Sequence, residues 1–563
     1  MASRREFIQQ SSLTAIGLSL PVVSRAEPAP RSQSNASTGF LDLHRPPDAV
    51  SVQTADRQQR LSPAGGSWRG DGVTLRTDGG SGALRVRLAA PGAAIKRLHL
   101  RWRGATDAIR LVLGDAWERG YGDLEWRGGV PDRAMPWYFA ASDGQATHAY
   151  GVRTSPKAFC FWQLDPRGIS LYADVRSGGV GVQLGDRELD VCDVVCRQGK
   201  GGESAFAALH AFCRDMCAQP RRPLQPPYGS NDWYWAYGKN SASTVLADAH
   251  RIVELSPPDA NRPFAVIDDG WQPQREEKAL IGLWDRGNAK FGDIAGVADG
   301  IRRAGARPGI WIRPLQAPAD APESWRLPRD RAFIDPTRPD AAQKVRDDIA
   351  RLRAWGFDLI KHDYTTFDLF GRWGFQMGTA LTKDGWTFAQ GPAPTTAEVI
   401  DELYRTIRAA AGDALIIGCN TISHLSAGIF DICRIGDDTS GTEWTRTRKM
   451  GVNTLAFRGV QHGAFYAADA DCVGVTDAIP WAQNSQWLDL VARSGTALFV
   501  SLAPDAVGAE QRRDLRAALA IASQPQTLGE PIDWQRSVWP SEWRLLGETR
   551  RYDWIGADGA APV

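Results

Sequence analysis

The chain has 563 residues, with 66 Lys and Arg against 65 Asp and Glu. That length exceeds one typical domain, and a net charge of +1 argues against nucleic acid or an anionic membrane as partner. No segment beyond the first few dozen residues is long and apolar enough to span a bilayer, while 22 Trp would suit either sugar-stacking clefts or a large aromatic core.

Residues 3–9 read Ser-Arg-Arg-Glu-Phe-Ile-Gln, and a mild apolar stretch follows over 13–23. This resembles a twin-arginine export signal, with Ser24-Arg25-Ala26 offering small residues for cleavage. The expectation is a signal over 1–26 and a periplasmic or secreted mature chain. Residues 27–38, rich in Pro, Ser and Ala, read as a disordered lead. Eight cysteines match no zinc-ribbon or finger spacing, Cys192-x3-Cys196 and Cys213-x3-Cys217 included. Buried free thiols are expected, with disulfides the alternative in an exported protein.

From 39 to 199 short alternating runs sit between Gly, Asp and Pro turns. Leu84-Arg85-Val86-Arg87-Leu88 and Leu98-His99-Leu100-Arg101-Trp102 are two of them. The pattern predicts an antiparallel β-sandwich. A helix over 203–216 completes that domain at residue 219, and 220–228 is a proline-rich linker.

The rhythm then changes. Strands are predicted at 233–237, 264–268, 308–312, 357–361, 414–419, 432–435, 464–468 and 497–502. Helices are predicted between them at 243–255, 294–304, 341–355, 397–410, 445–457 and 484–493, with another at 509–522. Some eight βα units over 229–522 predict a (β/α)8 TIM barrel, so the fold class is α/β. A doubly wound sheet would call for a Gly-rich phosphate turn after its first strand, and Trp235-Ala236-Tyr237-Gly238 is not one. The remaining 523–563 predict a short C-terminal β segment.

Active sites of such barrels lie at the C-terminal strand ends. There the sequence places Asp268-Asp269, Trp311 and Arg313, Lys361-His362-Asp363, Cys419-Asn420, Arg434 with Asp437-Asp438, and Asp469 with Asp471. Single residues of this kind could be helix caps or a structural ion pair. Several at one end of one sheet point to a site. In a strand Lys361 and Asp363 share one side and His362 the other, so Lys361 is expected to keep Asp363 ionised. An ionised Asp here and a second carboxylate on the sixth strand suit glycosidic-bond cleavage. No catalytic metal and no cofactor are expected.

Val-Ile-Asp-Asp-Gly-Trp (266–271), Gly-Ile-Trp-x-x-Pro (309–314), Ile-Lys-x-Asp (360–363), Gly-Cys-Asn (418–420), Arg-Ile-Gly-x-Asp (434–438) and Asp-x-Asp-Cys (469–472) occur in that order. The set resembles the α-galactosidases of glycoside hydrolase families 36 and 27. The resemblance implies a retaining, metal-independent exo-enzyme acting on terminal α-galactosyl residues. It places the nucleophile at Asp363 and the acid/base at Asp438. It also implies sugar contacts from Asp268, Asp269, Lys361 and Arg434, a pocket wall at Trp311, and a rim at Cys419 and Asn420. His362 and Arg313 depart from the family pattern, which leaves open another or a charged sugar. The long loop 365–392, with Phe367, Phe370, Trp373, Phe375 and Trp386, is expected to build leaving-group subsites, with simple packing over the barrel as the alternative. Alternatives are an α-N-acetylgalactosaminidase, a transglycosylase, or a sugar-binding protein without activity.

Overall fold

The computed structural model describes residues 39–80, 82–273, 281–556 and 559–560. The expected signal and lead lie outside the described residues. Among the described residues the N-terminal part forms an antiparallel sheet of fourteen strands. The strand Ala83–Ala89 shows why: Leu84, Val86 and Leu88 are buried while Arg85 faces out, the period of two expected of a half-buried strand. It pairs with Val73–Gly80 on one side and Leu189–Arg197 on the other. The helix Ala205–Met216 begins where Ser204 caps the backbone N–H of Ala207 at 3.1 Å. It buries Phe206, Leu209, Phe212 and Met216.

The second sheet is parallel. Its first seven strands run in chain order: Tyr228–Asn231, Phe264–Ile267, Arg307–Ile312, Leu359–His362, Leu415–Gly418, Ile432–Arg434 and Ala467–Asp469. Leu498–Leu502 lies beside the first strand, and Val473–Val475 lies beyond it. At the other end, Asp469 bridges Ala497, whose N–H donates to the Ala468 carbonyl at 3.0 Å. The sheet therefore curls. Helices connect its strands, among them Ala242–Leu255, Ile294–Ala304, Pro339–Ala354 and Thr396–Ala410. Capping boxes at Ser241/Thr244 and Thr395/Glu398 start two of them.

The first strand differs from expectation. Trp233–Ala236 is a short helix, and the strand is Tyr228–Asn231, which starts on the last residue of what reads as linker. Proline density hides it, but Tyr228 is buried and Gly229 lies so close to Phe264 that a Cβ would strike its carbonyl. The strand Val473–Val475 was not expected either. The helix expected over 445–457 is Trp444–Thr447 and Asn453–Arg458, joined by a π-turn at Arg448–Val452. A three-stranded antiparallel sheet of Glu530–Pro531, Glu542–Leu545 and Glu548–Arg551 lies near the C-terminus.

The loop 365–392 packs over the N-terminal sheet. Trp117 Nε1 donates to the Gly378 carbonyl at 2.8 Å, and Arg176 Nη2 donates to Ala380 at 2.7 Å. The Gly179 N–H donates to Trp386 at 2.8 Å, and Phe370 and Trp386 are buried. Aromatic content alone does not separate a sugar-binding face from a packing face, and here most of the rings pack. A Cβ at Gly179 would run into the backbone of Lys383 and Asp384. Gly179→Val should therefore cost about 1–3 kcal/mol by overpacking, read as a lower denaturant midpoint. An unchanged midpoint would mean that this seam carries no stability.

Candidate active site

The strand Leu359–His362 is buried along its length. His362 turns away from the strand-end cluster. Its ring meets Tyr404 and Phe430 edge-on at 5.8 and 5.4 Å, and burial pushes its pKa down to about 3. It is a neutral core ring, so its departure from the family pattern concerns packing. Lys361 behaves differently from expectation. Its Nζ sits 2.6 Å from Asp268 Oδ2. Burial pulls the ammonium pKa down, but the Asp268 charge outweighs it and the value lies well above the usual one. Lys361 thus serves Asp268 first.

Asp363 is held by other groups. Trp311 Nε1 donates to Oδ2 at 3.1 Å, and the Tyr364 N–H donates to Oδ1 at 2.7 Å. Tyr364 has φ +68, a left-handed conformation rare for a bulky residue. The turn that supplies this N–H is therefore held by its surroundings. Trp311, expected as a pocket wall, is a donor to the carboxylate. Arg313 is locked by two hydrogen bonds to Asp368, at 3.0 and 2.6 Å, and lies 4.2 Å over the Tyr364 ring. That ion pair leaves the guanidinium a structural part of the turn rather than a reader of a charged sugar.

Across the mouth of the sheet stand Arg434, Asp437, Asp438 and Asp471. Arg434 Nη2 lies 2.9 Å from Asp471 Oδ2 and 3.4 Å from Asp438 Oδ1. Asp471 also accepts from Thr439 N–H at 2.7 Å and from the Tyr234 hydroxyl. The adjacent aspartates differ. Asp437 has one oxygen 2.7 Å from Arg119 and the other 2.9 Å from Arg446. Asp438 is less buried and faces Arg434 and, at 3.8 Å, Arg119. Asp268 accepts from Asn231 Nδ2 at 2.7 Å besides Lys361, and Asp269 accepts from Gln272 Nε2 at 2.5 Å.

Cys419 and Asn420 do not form a rim. Both are buried. Arg434 Nη1 donates to Cys419 Sγ at 3.5 Å, and Asn420 Nδ2 donates to Glu118. Asn420 Oδ1 also accepts the Phe367 N–H at 3.2 Å. Both residues brace the strand end.

What the sequence reading missed is the segment that carries Glu118, Arg119 and Tyr121. It leaves the N-terminal sheet and joins the exit of the sixth strand. The Gly120 N–H donates to Ile435 at 2.8 Å, and Gly120 accepts from the Asp437 N–H at 2.8 Å. A parallel bridge links Gly120 to Gly436. Glu118-Arg119 in an irregular stretch of a β-rich region looks like surface charge. The only signal was Gly-Tyr-Gly beside it, which allows close backbone approach.

Burial pushes Glu118 up to about 7, against the pull of Arg119, and it pushes Asp232 up to about 8, with the Asp268 charge adding to it. Both raised values mean that the folded chain keeps protons which the unfolded chain has released. Their stabilisation is present below the ordinary carboxylate range and is lost as pH rises through about 7 and about 8. Melting temperature should therefore fall between about pH 5 and about pH 8. Glu118→Gln should make that fall shallower, and an identical slope would remove Glu118 from this role.

No family model matches the sequence, and no curated relative does. Solved structures do resemble the fold. TtGalA, an α-galactosidase from Thermus thermophilus in complex with p-nitrophenyl α-D-galactopyranoside, superposes with a TM-score of 0.57 at 17% identity, over 90% of this chain and 99% of that one. The GH36 α-galactosidase AgaA from Geobacillus stearothermophilus gives 0.54 at 15% identity, over 86% and 71%. The galactosidase domain of the α-galactosidase–sucrose kinase AgaSK gives 0.54 at 17%, over 80% and 67%. The chain has the fold of the GH36 α-galactosidases.

Proposed function

We propose that this chain is a retaining exo-glycosidase that removes terminal α-galactosyl residues from oligo- or polysaccharides. We read the curled parallel sheet as a (β/α)8 barrel, the N-terminal sheet as its β-sandwich companion, and residues 3–9 as an export signal to the periplasm or beyond. The observation that carries the reading is the unequal treatment of the carboxylates at one strand-end cluster. Asp437 is consumed by two arginines, whereas Asp363 and Asp438 are positioned yet only partly buried. The galactoside complex of TtGalA and the motif order support the choice of sugar.

In the first step an Asp363 carboxylate oxygen attacks the anomeric carbon. The glycosidic C–O bond breaks as Asp438 gives its proton to the leaving oxygen. Trp311 Nε1 and the Tyr364 N–H fix the nucleophile's rotamer, so the attacking oxygen arrives aligned. In the second step Asp438 takes a proton from water, which attacks the same carbon and frees Asp363. Asp268, oriented by Lys361 and Asn231, and Asp269 take sugar hydroxyls, and Arg434 lies beside Asp438 to meet the hydroxyl next to the reacting carbon. The exposed Phe375 ring, 4.8 Å from Tyr121, offers a small apolar platform for a leaving group.

Three variants test this. Asp363→Ala should abolish activity toward every leaving group, with partial return on added azide. Asp438→Ala should spare nitrophenyl galactosides far more than natural galactosides. Asp437→Ala should instead destabilise the chain, by about 3–5 kcal/mol for a broken buried ion pair, without any leaving-group dependence. If Asp437→Ala shows the leaving-group dependence and Asp438→Ala does not, the acid is Asp437. A panel of nitrophenyl glycosides tests the sugar, and activity on N-acetylgalactosaminide alone would replace galactose.

A further inference from the structure

Far along the chain from the strand-end cluster, Asp42, His44 and Cys196 bring three ligand atoms together. Leu43 is fully buried and pins the segment against the strand Leu189–Arg197, its N–H donating to Cys196 Sγ at 3.4 Å. Its neighbours Asp42 and His44 are held beside the same sulfur. Asp42 Oδ1 lies 3.0 Å from His44 Nδ1, Cys196 Sγ lies 3.4 Å from that nitrogen, and Sγ lies 3.6 Å from Asp42 Oδ1.

The other ring nitrogen is held as well. His44 Nε2 lies 3.1 Å from the Gly82 carbonyl, which only accepts. Nδ1 faces Asp42 and Cys196, so the ring is oriented by partners at both nitrogens. A carbonyl fixing the far nitrogen of a ligating histidine is also a familiar outer-shell arrangement of metal sites. The trio cannot work as a nucleophile relay. Carboxylate and sulfur both meet Nδ1, so no imidazole bridge separates them as acid–base catalysis requires.

We infer that Asp42, His44 and Cys196 form a binding site for a divalent transition ion of the zinc class. One imidazole, one thiolate and one carboxylate suit such an ion and not Mg2+ or Ca2+. Tetrahedral zinc with ordinary bond lengths sets nitrogen and oxygen ligands about 3.3–3.5 Å apart and sulfur about 3.5–3.7 Å from either, against the 3.0, 3.4 and 3.6 Å found. Three ligands leave the fourth position to water, on the side where Asp42 is exposed. Ion binding would transfer the thiol proton to solvent and tie residues 42–44 to the strand that carries Cys196.

The full-length protein, freed of metal with a chelator, is titrated with ZnCl2 by calorimetry. One ion per chain is expected. Cys196→Ser and His44→Gln should each weaken binding by at least about tenfold. A second readout needs no variant. Cys196 is the one cysteine of the eight that is not buried, so native alkylation with iodoacetamide reports on it. Zn2+ should slow that alkylation, Mg2+ should not, and chelator should restore it. Binding that is equal in wild type and Cys196→Ser overturns the site, as does an alkylation rate that ignores Zn2+. Either result would leave a hydrogen-bonded Asp42–His44 pair with a thiol beside it.

Discussion

The guanidinium of Arg119 is the point on which the rest of the site depends. It is fully buried, and an arginine taken out of water costs several kcal/mol unless its partners are close and well oriented. Asp437 at 2.7 Å supplies most of that compensation, with Glu118 at 3.4 Å and Asp438 at 3.8 Å. Burial alone would pull its pKa down, but these carboxylates outweigh it and hold the value well above the usual one. The charge arrives with its backbone. Gly120 pairs with the exit of the sixth strand, and a Cβ on Gly120 or Gly436 would strike Thr454. Two glycines and one ion pair therefore bring the N-terminal sheet to the mouth of the parallel sheet.

A second buried network backs the first. Arg458, also without exposure, holds Asp115 at 2.8 Å and donates to the carbonyls of Glu118 and Ile435 at 3.0 and 3.2 Å. Gln461 donates to Asp115 and to the Tyr138 hydroxyl. Buried polar groups of this kind are costly when any member is unpaired. The network thus favours one docking of the two sheets over nearby slipped ones. Arg458 and Gln461 follow the π-turn at Arg448–Val452. That turn adds a residue to the helix and so rotates what comes after it, the sort of local irregularity that clusters near functional sites.

Much of the parallel sheet was legible because buried parallel strands read as short apolar runs with polar exits, and seven of its strands lie close to where those runs stand. The exceptions have physical causes. Tyr228–Asn231 is four residues long and follows a proline run, so no window shows its period. Trp233–Ala236 carries strand-type aromatics but is helical, since Asp232 and Asn231 turn the chain there. Lys361 is a strand-end cation as expected, but its main partner is Asp268, with Asp363 a lesser one. Period two fixes the face of a side chain, but not which carboxylate across the sheet it reaches, and Asp268 is nearer. Cys419 and Asn420 were placed in the right element and at the wrong depth. Nothing in Gly-Cys-Asn announces that Glu118, some three hundred residues earlier, will cover them.

The adjacency of Asp437 and Asp438 shows how surroundings, more than residue type, separate two carboxylates. The two side chains are chemically identical and one residue apart, and each could cap, pair or donate. The inserted segment makes the difference. Arg119 comes in on the Asp437 side, joins Arg446 there, and converts that carboxylate into a bracket with both oxygens committed. Asp438 stands 3.4 Å from Arg434 and 3.8 Å from Arg119 and is less buried than Asp437. An acid/base residue has to reach substrate and water during each turnover, and both oxygens of Asp437 are already engaged by guanidiniums. On the proposed reading the N-terminal sheet therefore acts on the chemistry without touching the sugar. By occupying Asp437 it sets the two aspartates apart, and a change that loosened Gly120 from Gly436 would let both compete for the same arginines.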